Sequence, residues 1–553
     1  MQALAAWYLA GAANEWVRPA LVEAAVQRAR PLFAGLHLPD WVAACDWQAN
    51  AIPWLRPNAA QAAATLAAVV AKLPAIGGVT WAARCRLSLA YAYLLQEELE
   101  AAERTLRLAE ESFSDQGQTM DRPRCAYVRI GILRRRGLTR PALALAQETL
   151  ALCEQMDAVA DAARTSLQMG YCHRDLQEEY AAAETSFRRA ITLFSAADLP
   201  LLVAQAQDGL AQVYQDVGRL AEAAEALAEA RLIHDGYPVV VSRAACLVDS
   251  GYLELNRGQP AAALDHFQQA GQLYQQFGNQ VMVAVVTMYQ GEAHQQLGHY
   301  QLALSHLEQA LERFQELEDP GRRLECQRRL ARAWLNLGRP DLAQQLLSQV
   351  AAHYQATGQP ALQSVILTQQ ARLFVLEGQL PEAIAYLQKA LTAARQAAVQ
   401  PQVALIQRWL GQVYGQSRRD EEAKEYLTSA AAAFRELAMP VEEAACQVTL
   451  GDYWAGRRPA EAETAWRAAL ELTGALLPEI AWPAWAGLAQ LAEEQGDSDQ
   501  ALTAYRSMVG ALSSLRQHLH QPSLAGPYLR RPAPALDRAV SLSGRAARPP
   551  DAL

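Results

Sequence analysis

Residues 330–347 read LARAWLNLGRPDLAQQLL, and this stretch decides the fold. Apolar residues at helical spacing predict one helix that ends near Gly338, since glycine is common at a helix C-terminus. Pro340 then suits the first turn of a second helix. Asp341 adds a negative charge to that first turn, where the helix dipole favours it. The stretch therefore predicts two helices joined by a tight turn.

The pattern of this stretch recurs every forty residues. Its small residue Ala331 has counterparts at Ala211, Gly251, Gly291, Ala371 and Gly411. An alanine stands twelve positions after each of these six anchors, and a large apolar residue stands sixteen positions after each: Leu227, Phe267, Leu307, Leu347, Leu387 and Leu427. A small residue and a large one at a fixed offset predict close contact between the two helices of each repeat.

Nothing in the chain alternates with the period of a β-strand. We therefore expect an all-α fold, an α-solenoid forming a right-handed superhelix of about eleven to thirteen helix pairs with a 40-residue period. Residues 1–79 are expected to be degenerate repeats that cap the array, and residues 80–512 to form the solenoid. Residues 513–553 are expected to hold the last helix end and a disordered tail, with one short helix near 535–542.

The repeat resembles the tetratricopeptide repeat (TPR), whose pattern joins an aromatic residue and Leu-Gly in the first helix to Ala, a bulky apolar residue and Ala in the second. Trp334, Gly338, Ala343 and Leu347 occupy those places in the unit quoted above. The family's usual period is about 34 residues, so six extra residues per unit are expected to lengthen the helices and the inter-repeat turns. The resemblance implies a protein that binds partners on a concave surface lined by first helices.

Composition excludes several classes of function. The net charge of −9 comes from 49 basic and 58 acidic residues that are interspersed, which argues against nucleic-acid binding. The N-terminus lacks the basic region of a signal peptide, and Lys72, Pro74 and a Gly-Gly pair interrupt the most apolar stretch. We therefore expect a soluble cytoplasmic protein without a membrane partner.

The eight cysteines follow the repeat. Most lie near multiples of forty from one another, and Cys246, Cys326 and Cys446 each stand five residues before an anchor, on the buried side of a first helix. No Cys-x-x-Cys pair is present, so the pattern indicates neither zinc nor a redox dithiol. The free thiols suit a reducing cytoplasm.

Four arginines form the sharpest local feature. Helical projection places Arg328 and Arg332 opposite the apolar side of their helix, and the following repeats supply Arg372 and Arg408 at equivalent positions. Because arginine offers carboxylates a planar fork, the stripe predicts a docking surface for an acidic peptide or a free C-terminal carboxylate. The alternative is a solvated face whose charge is neutralised by nearby acidic residues, namely Glu316, Glu318, Asp319 and Glu325.

Enzymatic motifs are missing: the chain has no phosphate loop, no Gly-x-Ser-x-Gly elbow and no His-Glu-x-x-His helix. No catalysis, cofactor or metal is therefore expected, and the function predicted is that of a protein-interaction scaffold or sensor. The repeats also resemble the arms of large bacterial regulators and of CHAT-type caspase-like proteases. In those proteases a segment similar to residues 515–529, LRQHLHQPSLAGPYL, joins the array to the catalytic domain.

That second resemblance implies an alternative function, a regulatory subunit that controls an effector on another chain, such as a CHAT-type protease or a transcription factor. The protease's own His-Gly and Asp-Ala-Cys motifs are missing here. A further alternative is self-assembly through the ends of the array, with the four tryptophans Trp7, Trp16, Trp482 and Trp485 either as contacts or as buried cap residues.

Overall fold

The computed structural model describes residues 1–15, 19–53, 58–72, 79–117, 120–176, 179–237, 239–357, 360–474, 477–517, 528 and 530–546. All regular secondary structure in those residues is helical. The helices are α1 (Gln2–Glu15), α2 (Pro19–Gly35), α3 (Pro39–Asn50), α4 (Ala59–Lys72), α5 (Val79–Leu95), α6 (Leu99–Asp115), α7 (Arg122–Arg135), α8 (Thr139–Gln155), α9 (Val159–Leu176), α10 (Tyr180–Ala196), α11 (Pro200–Val217), α12 (Leu220–Asp235), α13 (Val240–Asn256), α14 (Pro260–Phe277), α15 (Gln280–Gln296), α16 (Tyr300–Glu316), α17 (Pro320–Asn336), α18 (Pro340–Thr357), α19 (Pro360–Leu376), α20 (Leu380–Gln396), α21 (Gln400–Gln416), α22 (Asp420–Glu436), α23 (Pro440–Trp454), α24 (Pro459–Thr473), α25 (Pro478–Glu494), α26 (Ser498–Gln517) and α27 (Ala533–Ala546).

The helices α1 to α26 form thirteen consecutive pairs, which confirms the all-α repeat fold. The extra length of each repeat lies in the helices: α15 and α16 have 17 residues each. Three residues, 297–299, join α15 to α16, and three residues, 317–319, join α16 to α17. The expectation of lengthened inter-repeat turns is therefore wrong, because both kinds of turn here are equally short.

Many of the described turns reverse the chain through a left-handed residue. Gly338 takes this role between α17 and α18, with φ +70°, and Glu318 takes it between α16 and α17, with φ +52°. The side chain of Asp319 then accepts a hydrogen bond from the Arg322 amide at 2.9 Å and caps α17. A left-handed residue followed by a cap or proline explains how three residues suffice.

The small anchors let the two helices of a pair come together. A Cβ atom placed on Gly291 would lie 2.9 Å from Leu307 Cγ and 3.1 Å from the Ala303 carbonyl oxygen. The equivalent atom on Gly251 would lie 2.5 Å from the Phe267 ring. The small-to-large contact predicted from the sixteen-residue offset is therefore present.

All eight cysteines are free and buried. The Sγ atom of Cys326 lies 3.1 Å from the Leu307 carbonyl oxygen, nineteen residues earlier, and Cys446 lies 3.4 Å from that of Leu427. The repeat cysteines thus serve as small core residues whose thiols bond to the preceding second helix.

Contacts divide the described chain into two compact units. Unit 1 comprises residues 1–213, 222–250 and 268–286, and unit 2 comprises residues 214–221, 251–267 and 287–553. The units interleave in sequence because each contains contacts between distant repeats. Within unit 1 the Asn279 side chain donates to the Leu95 carbonyl oxygen at 3.0 Å.

Unit 2 contains similar distant contacts. A Cβ atom on Gly258 would lie 2.2 Å from Val441 Cγ2, and one on Gly298 would lie 2.1 Å from Leu515 Cδ2. Each of these glycines also has a positive φ, +75° and +77°. The turns after α13 and α15 therefore pack closely against helices that are far away in sequence.

The short helix expected near 535–542 is present as α27, and its residues Ala539 and Leu542 are buried. Residues 547–553 of the expected disordered tail lie outside the described residues, and the division into 1–79, 80–512 and 513–553 stays a prediction. Among the described helices, none combines the length and apolar character needed to cross a bilayer.

Candidate functional site

The four arginines predicted as a binding surface lie on three successive first helices of unit 2. Arg328 and Arg332 belong to α17, Arg372 to α19 and Arg408 to α21. Their surroundings divide them into two groups, because carboxylates form close ion pairs with the first two arginines, whereas the other two have no such pair among the described residues.

Arg328 and Arg332 are both ion-paired. Arg328 donates from Nε and Nη2 to the two carboxylate oxygens of Glu325, at 2.8 and 2.5 Å. Arg332 donates from Nη2 to Oε1 of Glu292 at 2.5 Å, and the buried Arg329 pairs with both glutamates. Glu325 thus neutralises Arg328, as the alternative interpretation expects. Glu292, from the preceding repeat, neutralises Arg332 as well.

Arg372 and Arg408 have a different environment. Within the described part of the chain, neither guanidinium forms an ion pair with a carboxylate. Arg372 donates from Nη2 to Oδ1 of Asn336 at 2.6 Å, whereas Nε of Arg408 is buried without a hydrogen-bond partner. The Cζ atoms of both arginines lie 4.9 Å from the ring of Trp409, so both cations stack on one indole.

These two arginines line a cavity of about 520 Å³ within unit 2. Arg531, from the segment before α27, lines it as well, and its Cζ atom lies 5.9 Å from the Trp482 ring. We call this space the arginine cavity, after Arg372, Arg408 and Arg531. Amide and hydroxyl groups complete its wall, from Asn336, Gln412, Gln416 and Thr449.

Two carboxylates also line the arginine cavity. Glu479 accepts hydrogen bonds from the hydroxyl groups of Tyr300 at 2.5 Å and Tyr528 at 2.8 Å. Asp452 accepts one from Nε1 of Trp466 at 3.1 Å, and its low-polarity surroundings raise its pKa to about 6. Three arginines therefore face two carboxylates in the lining, and the resulting positive charge is reduced by Glu442, which lies outside the lining and attracts Arg408.

The charge of Arg372 is unfavourable in this cavity. Burial, followed by repulsion from Arg408, Arg332 and Arg531, lowers the pKa of Arg372 to about 9. The side chain remains protonated at neutral pH, and an anion beside it would relieve both effects. The arrangement of fork-shaped donors, unsatisfied Nε and a stacked indole can thus bind a planar anion such as a carboxylate.

A second cavity of about 560 Å³ lies in unit 1. Its wall is aromatic, and its residues include Trp7, Trp47, Trp81, Tyr91 and Tyr127. The arginines that line it are each paired with aspartate: Arg84 with Asp121 at 3.2 Å, and Arg124 and Arg164 with Asp161 at 3.8 and 3.0 Å. This cavity therefore lacks the uncompensated positive charge of the arginine cavity.

Three side chains come together in unit 1, and of these only the cysteine was part of the repeat pattern described above. Asp208, His234 and Cys246 are all buried, and their ligand atoms lie within 4.8 Å of one another. Their spacing of 26 and 12 residues matches no short metal-binding motif, so the sequence pattern alone did not connect them.

The remaining candidates fall as follows. Trp7 and Trp482 are buried, as expected of cap residues, and Trp485 is half-buried. Trp16 and most of the segment 515–529 lie outside the described residues. The resemblance of that segment to CHAT-type proteases therefore stays a prediction.

A model of the tetratricopeptide repeat family matches residues 283–356 and 362–436. A Rap protein solved in complex with competence and sporulation factor is 14% identical and aligns over 65% of this chain and 99% of its own, with a TM-score of 0.51. No curated protein sequence matches the chain.

Two further solved structures are more distant in shape. NprR in complex with its cognate peptide NprX is 14% identical over 56% of this chain and 88% of its own, with a TM-score of 0.45. A signal-transduction ATPase with numerous domains that carries a tetratricopeptide repeat sensor, from Pyrococcus horikoshii, is 14% identical over 61% and 53%, with a TM-score of 0.33.

The family match covers four consecutive helix pairs, from α15 to α22, and the contact of a small anchor with a large residue extends beyond it. Gly170 faces Phe187 before the matched residues, and Gly451 faces Trp466 after them. The same building unit therefore continues on both sides of the match, and over the matched residues the chain is similar to the tetratricopeptide repeat family.

Proposed function

We propose that the protein is a non-catalytic interaction module or sensor that binds the carboxylate of a peptide or partner protein in the arginine cavity. The observation that carries this proposal is the pair Arg372 and Arg408, which are stacked on Trp409 without a carboxylate partner among the described residues. An unpaired, half-buried cation is costly, and that cost is recovered when an anionic ligand binds.

The four predicted arginines take different roles in this proposal. Arg372 and Arg408 contact the ligand carboxylate, and Trp409 packs against the neighbouring part of the ligand. Arg328 and Arg332 stay bound to Glu325 and Glu292 and do not contact the ligand. A free C-terminal carboxylate fits best, since its two oxygens match the arginine fork.

The fold offers a precedent. The Rap structure that aligns with this chain contains the competence and sporulation factor, so this kind of helix array is known to hold a signalling factor. That precedent concerns the Rap protein, and for this chain it supports the choice of a sensor over a purely structural role.

Synthetic peptides test the proposal. Fluorescein-labelled random peptide pools, made once with a free C-terminal carboxylate and once with an amide, are titrated with the protein, and binding is followed by fluorescence anisotropy. We expect the carboxylate pool to contain binders that the amide pool lacks. In Arg372→Gln/Arg408→Gln, the affinity of those binders should fall about a hundredfold or more, because each charged hydrogen bond that is lost contributes roughly 1.5 to 3 kcal/mol.

A matched control removes two arginines elsewhere. Arg419→Gln/Arg457→Gln deletes exposed arginines that stack on Tyr414 and Tyr453 and that pair with Glu422 and Asp420. This control should bind as the wild type does. Equal binding of the two pools, or equal loss in both double variants, would contradict the proposal.

The regulatory-subunit hypothesis uses the same surface with a different occupant. An effector on another chain would present its carboxylate as part of a folded domain, and the peptide pools would then compete with it. The cytoplasmic location also stays a prediction, which the buried free thiols support.

A further inference from the structure

We propose that Asp208, His234 and Cys246 form a buried binding site for a single divalent metal ion of the zinc class in unit 1. The three residues come from three successive helices: Asp208 from α11, His234 from α12 and Cys246 from α13. A metal ion held there would join the two helices of one repeat to the first helix of the next.

The geometry is close to that of a metal site. Nε2 of His234 lies 2.9 Å from Oδ2 of Asp208, and all three ligand atoms lie within 4.8 Å of one another. In a tetrahedral zinc site with Zn–S of about 2.3 Å and Zn–N and Zn–O of about 2.0 to 2.2 Å, ligand atoms are about 3.3 to 3.7 Å apart. Small side-chain rotations are therefore enough to bring the three atoms onto one ion.

The charges balance. A cysteine thiolate and an aspartate carry two negative charges, a histidine that binds a metal is neutral, and a divalent cation makes the whole cluster neutral. This balance matters here because Asp208, His234 and Cys246 are only 4%, 1% and 2% exposed. A site this deeply buried disfavours any net charge.

Polar atoms of the cluster are left unsatisfied in the structure. Oδ1 of Asp208 and Nδ1 of His234 are buried without a hydrogen-bond partner. An unpartnered buried polar atom costs about 1 to 3 kcal/mol, so the Asp–His pair alone is a poor replacement for apolar core residues. Ligation of a metal ion by Oδ1 of Asp208 would satisfy the unpartnered carboxylate oxygen and remove its share of that cost.

The repeat pattern shows that His234 is unusual at its position. In five other repeats the equivalent position holds a buried aromatic residue: Phe194, Tyr274, Phe314, Tyr354 and Phe434. In the repeat of Cys326, the position equivalent to Asp208 is the apolar Met288. Cys326 therefore has an apolar residue at both of the positions that Asp208 and His234 occupy around Cys246. The unusual His234 lies beside Asp208 and one repeat cysteine, Cys246.

The chain thus contains its own control site. Cys326 occupies the same repeat position as Cys246 and is also buried, but it has Met288 and Phe314 in place of the aspartate and the histidine. Only Cys246 is expected to bind metal, although both thiols pack in the same place on a first helix.

The experiment measures metal in the intact chain. Wild type, Cys246→Ser, Cys326→Ser and His234→Phe are produced with added zinc, and their zinc content is determined by mass spectrometry after gel filtration. We expect about one zinc ion per chain in the wild type and in Cys326→Ser, and about a tenfold lower content in Cys246→Ser and His234→Phe. His234→Phe restores the aromatic residue of the other repeats and should fold, which circular dichroism verifies.

Cobalt provides an independent readout. Cobalt(II)-loaded wild type should show the intense near-ultraviolet band of thiolate-to-cobalt charge transfer, and Cys246→Ser should lose it while Cys326→Ser keeps it. Wild-type protein with no zinc above background, or equal metal content in Cys246→Ser and the wild type, would overturn the proposal and leave a hydrogen-bonded Asp–His pair. Both readouts are independent of peptide binding in unit 2.

Discussion

Glycine at position 291 controls how closely α15 and α16 approach each other. A larger side chain there would overlap Leu307 Cγ, which a Cβ atom alone would approach to 2.9 Å. We expect Gly291→Leu to lower the free energy of unfolding by about 1 to 3 kcal/mol, the usual cost of overpacking. Urea denaturation followed by circular dichroism measures this change.

Gly510 provides the control for that substitution. It lies within α26, and a Cβ atom there would have no neighbour within 4 Å. Gly510→Leu should leave stability unchanged or raise it slightly, since leucine favours a helix more than glycine does. An equal loss of unfolding free energy in both variants would show that the contact with Leu307 does not cause the destabilisation at position 291.

Asp452 makes ligand binding in the arginine cavity depend on pH. Its pKa is raised to about 6, so the carboxyl group is charged at pH 7.5 and mostly neutral at pH 5.5. A peptide C-terminus has a pKa of about 3.3 to 3.7 and stays charged at both values. Because the charged Asp452 repels it, the affinity for carboxylate peptides should rise as the pH falls from 7.5 to 5.5.

Asp452→Asn isolates this contribution. The amide cannot ionise, so the variant should bind carboxylate peptides more tightly than the wild type at pH 7.5 and should lack the gain at pH 5.5. Anisotropy titrations at the two pH values measure both effects. An unchanged pH profile in the variant would assign the dependence to another group.

Much of the residue-level detail follows from the sequence and some does not. The offsets from Ala331 predict which small residue meets which large one, because both lie within one repeat. The difference between Arg332 and its equivalent Arg372 is not predictable in this way, since Glu292, which neutralises Arg332, belongs to the preceding repeat. The cluster around Cys246 stayed hidden because its cysteine also fits the ordinary core pattern.

At the level of elements, the turns that end first helices combine backbone strain with packing. Gly258 and Gly378 have almost the same positive φ, +75° and +76°, but only Gly258 lies against another helix, at Val441. Gly378→Ala should cost about 1 kcal/mol from the left-handed backbone alone. Gly258→Ala should cost clearly more, because the added methyl group also overlaps Val441.

Urea denaturation of the two alanine variants, side by side, measures the difference. The Gly378 variant is the control for backbone strain. A loss of equal size in both would mean that α23 moves away from Gly258 at no cost.

The helix bounds were largely predictable and the turn lengths were not. Gly338 and Pro340 mark the end of α17 and the start of α18 to within two residues, because each residue type has one preferred place at a helix terminus. The inter-repeat turns need no extra residues, since Glu318 and Ala398 adopt left-handed conformations although neither is glycine. Nothing in the sequence pattern predicts left-handed conformations at these two residues.

At the level of the whole molecule, the segment before α27 helps to build the arginine cavity. Tyr528 is buried and donates its hydroxyl hydrogen to Glu479, and Arg531 lies on the cavity wall. We expect Arg531→Gln to weaken binding of carboxylate peptides about threefold to tenfold, less than the double variant of Arg372 and Arg408, because Arg531 is more exposed. Arg530→Gln, which removes a charge outside the cavity lining, is the control.

No repeat pattern places Tyr528 and Arg531 at this site, since they follow the last repeat and carry none of its signals. The period predicts which neighbouring repeats touch, whereas a cavity assembled from α17, α19, α21 and a later segment depends on contacts between repeats that are far apart. This is why the sequence indicated Arg372 and Arg408 and missed Arg531.

The contacts of Gly258 with Val441 and of Gly298 with Leu515 also bear on how unit 2 folds. An array held together only by neighbouring repeats can unfold one repeat at a time from its ends. In unit 2, contacts across more than four repeats connect repeats that are far apart in sequence. These repeats should therefore unfold together, and the unit should melt in one cooperative transition. The same contacts raise the average sequence separation of touching residues, and unit 2 should therefore fold more slowly than a helical array with only local contacts.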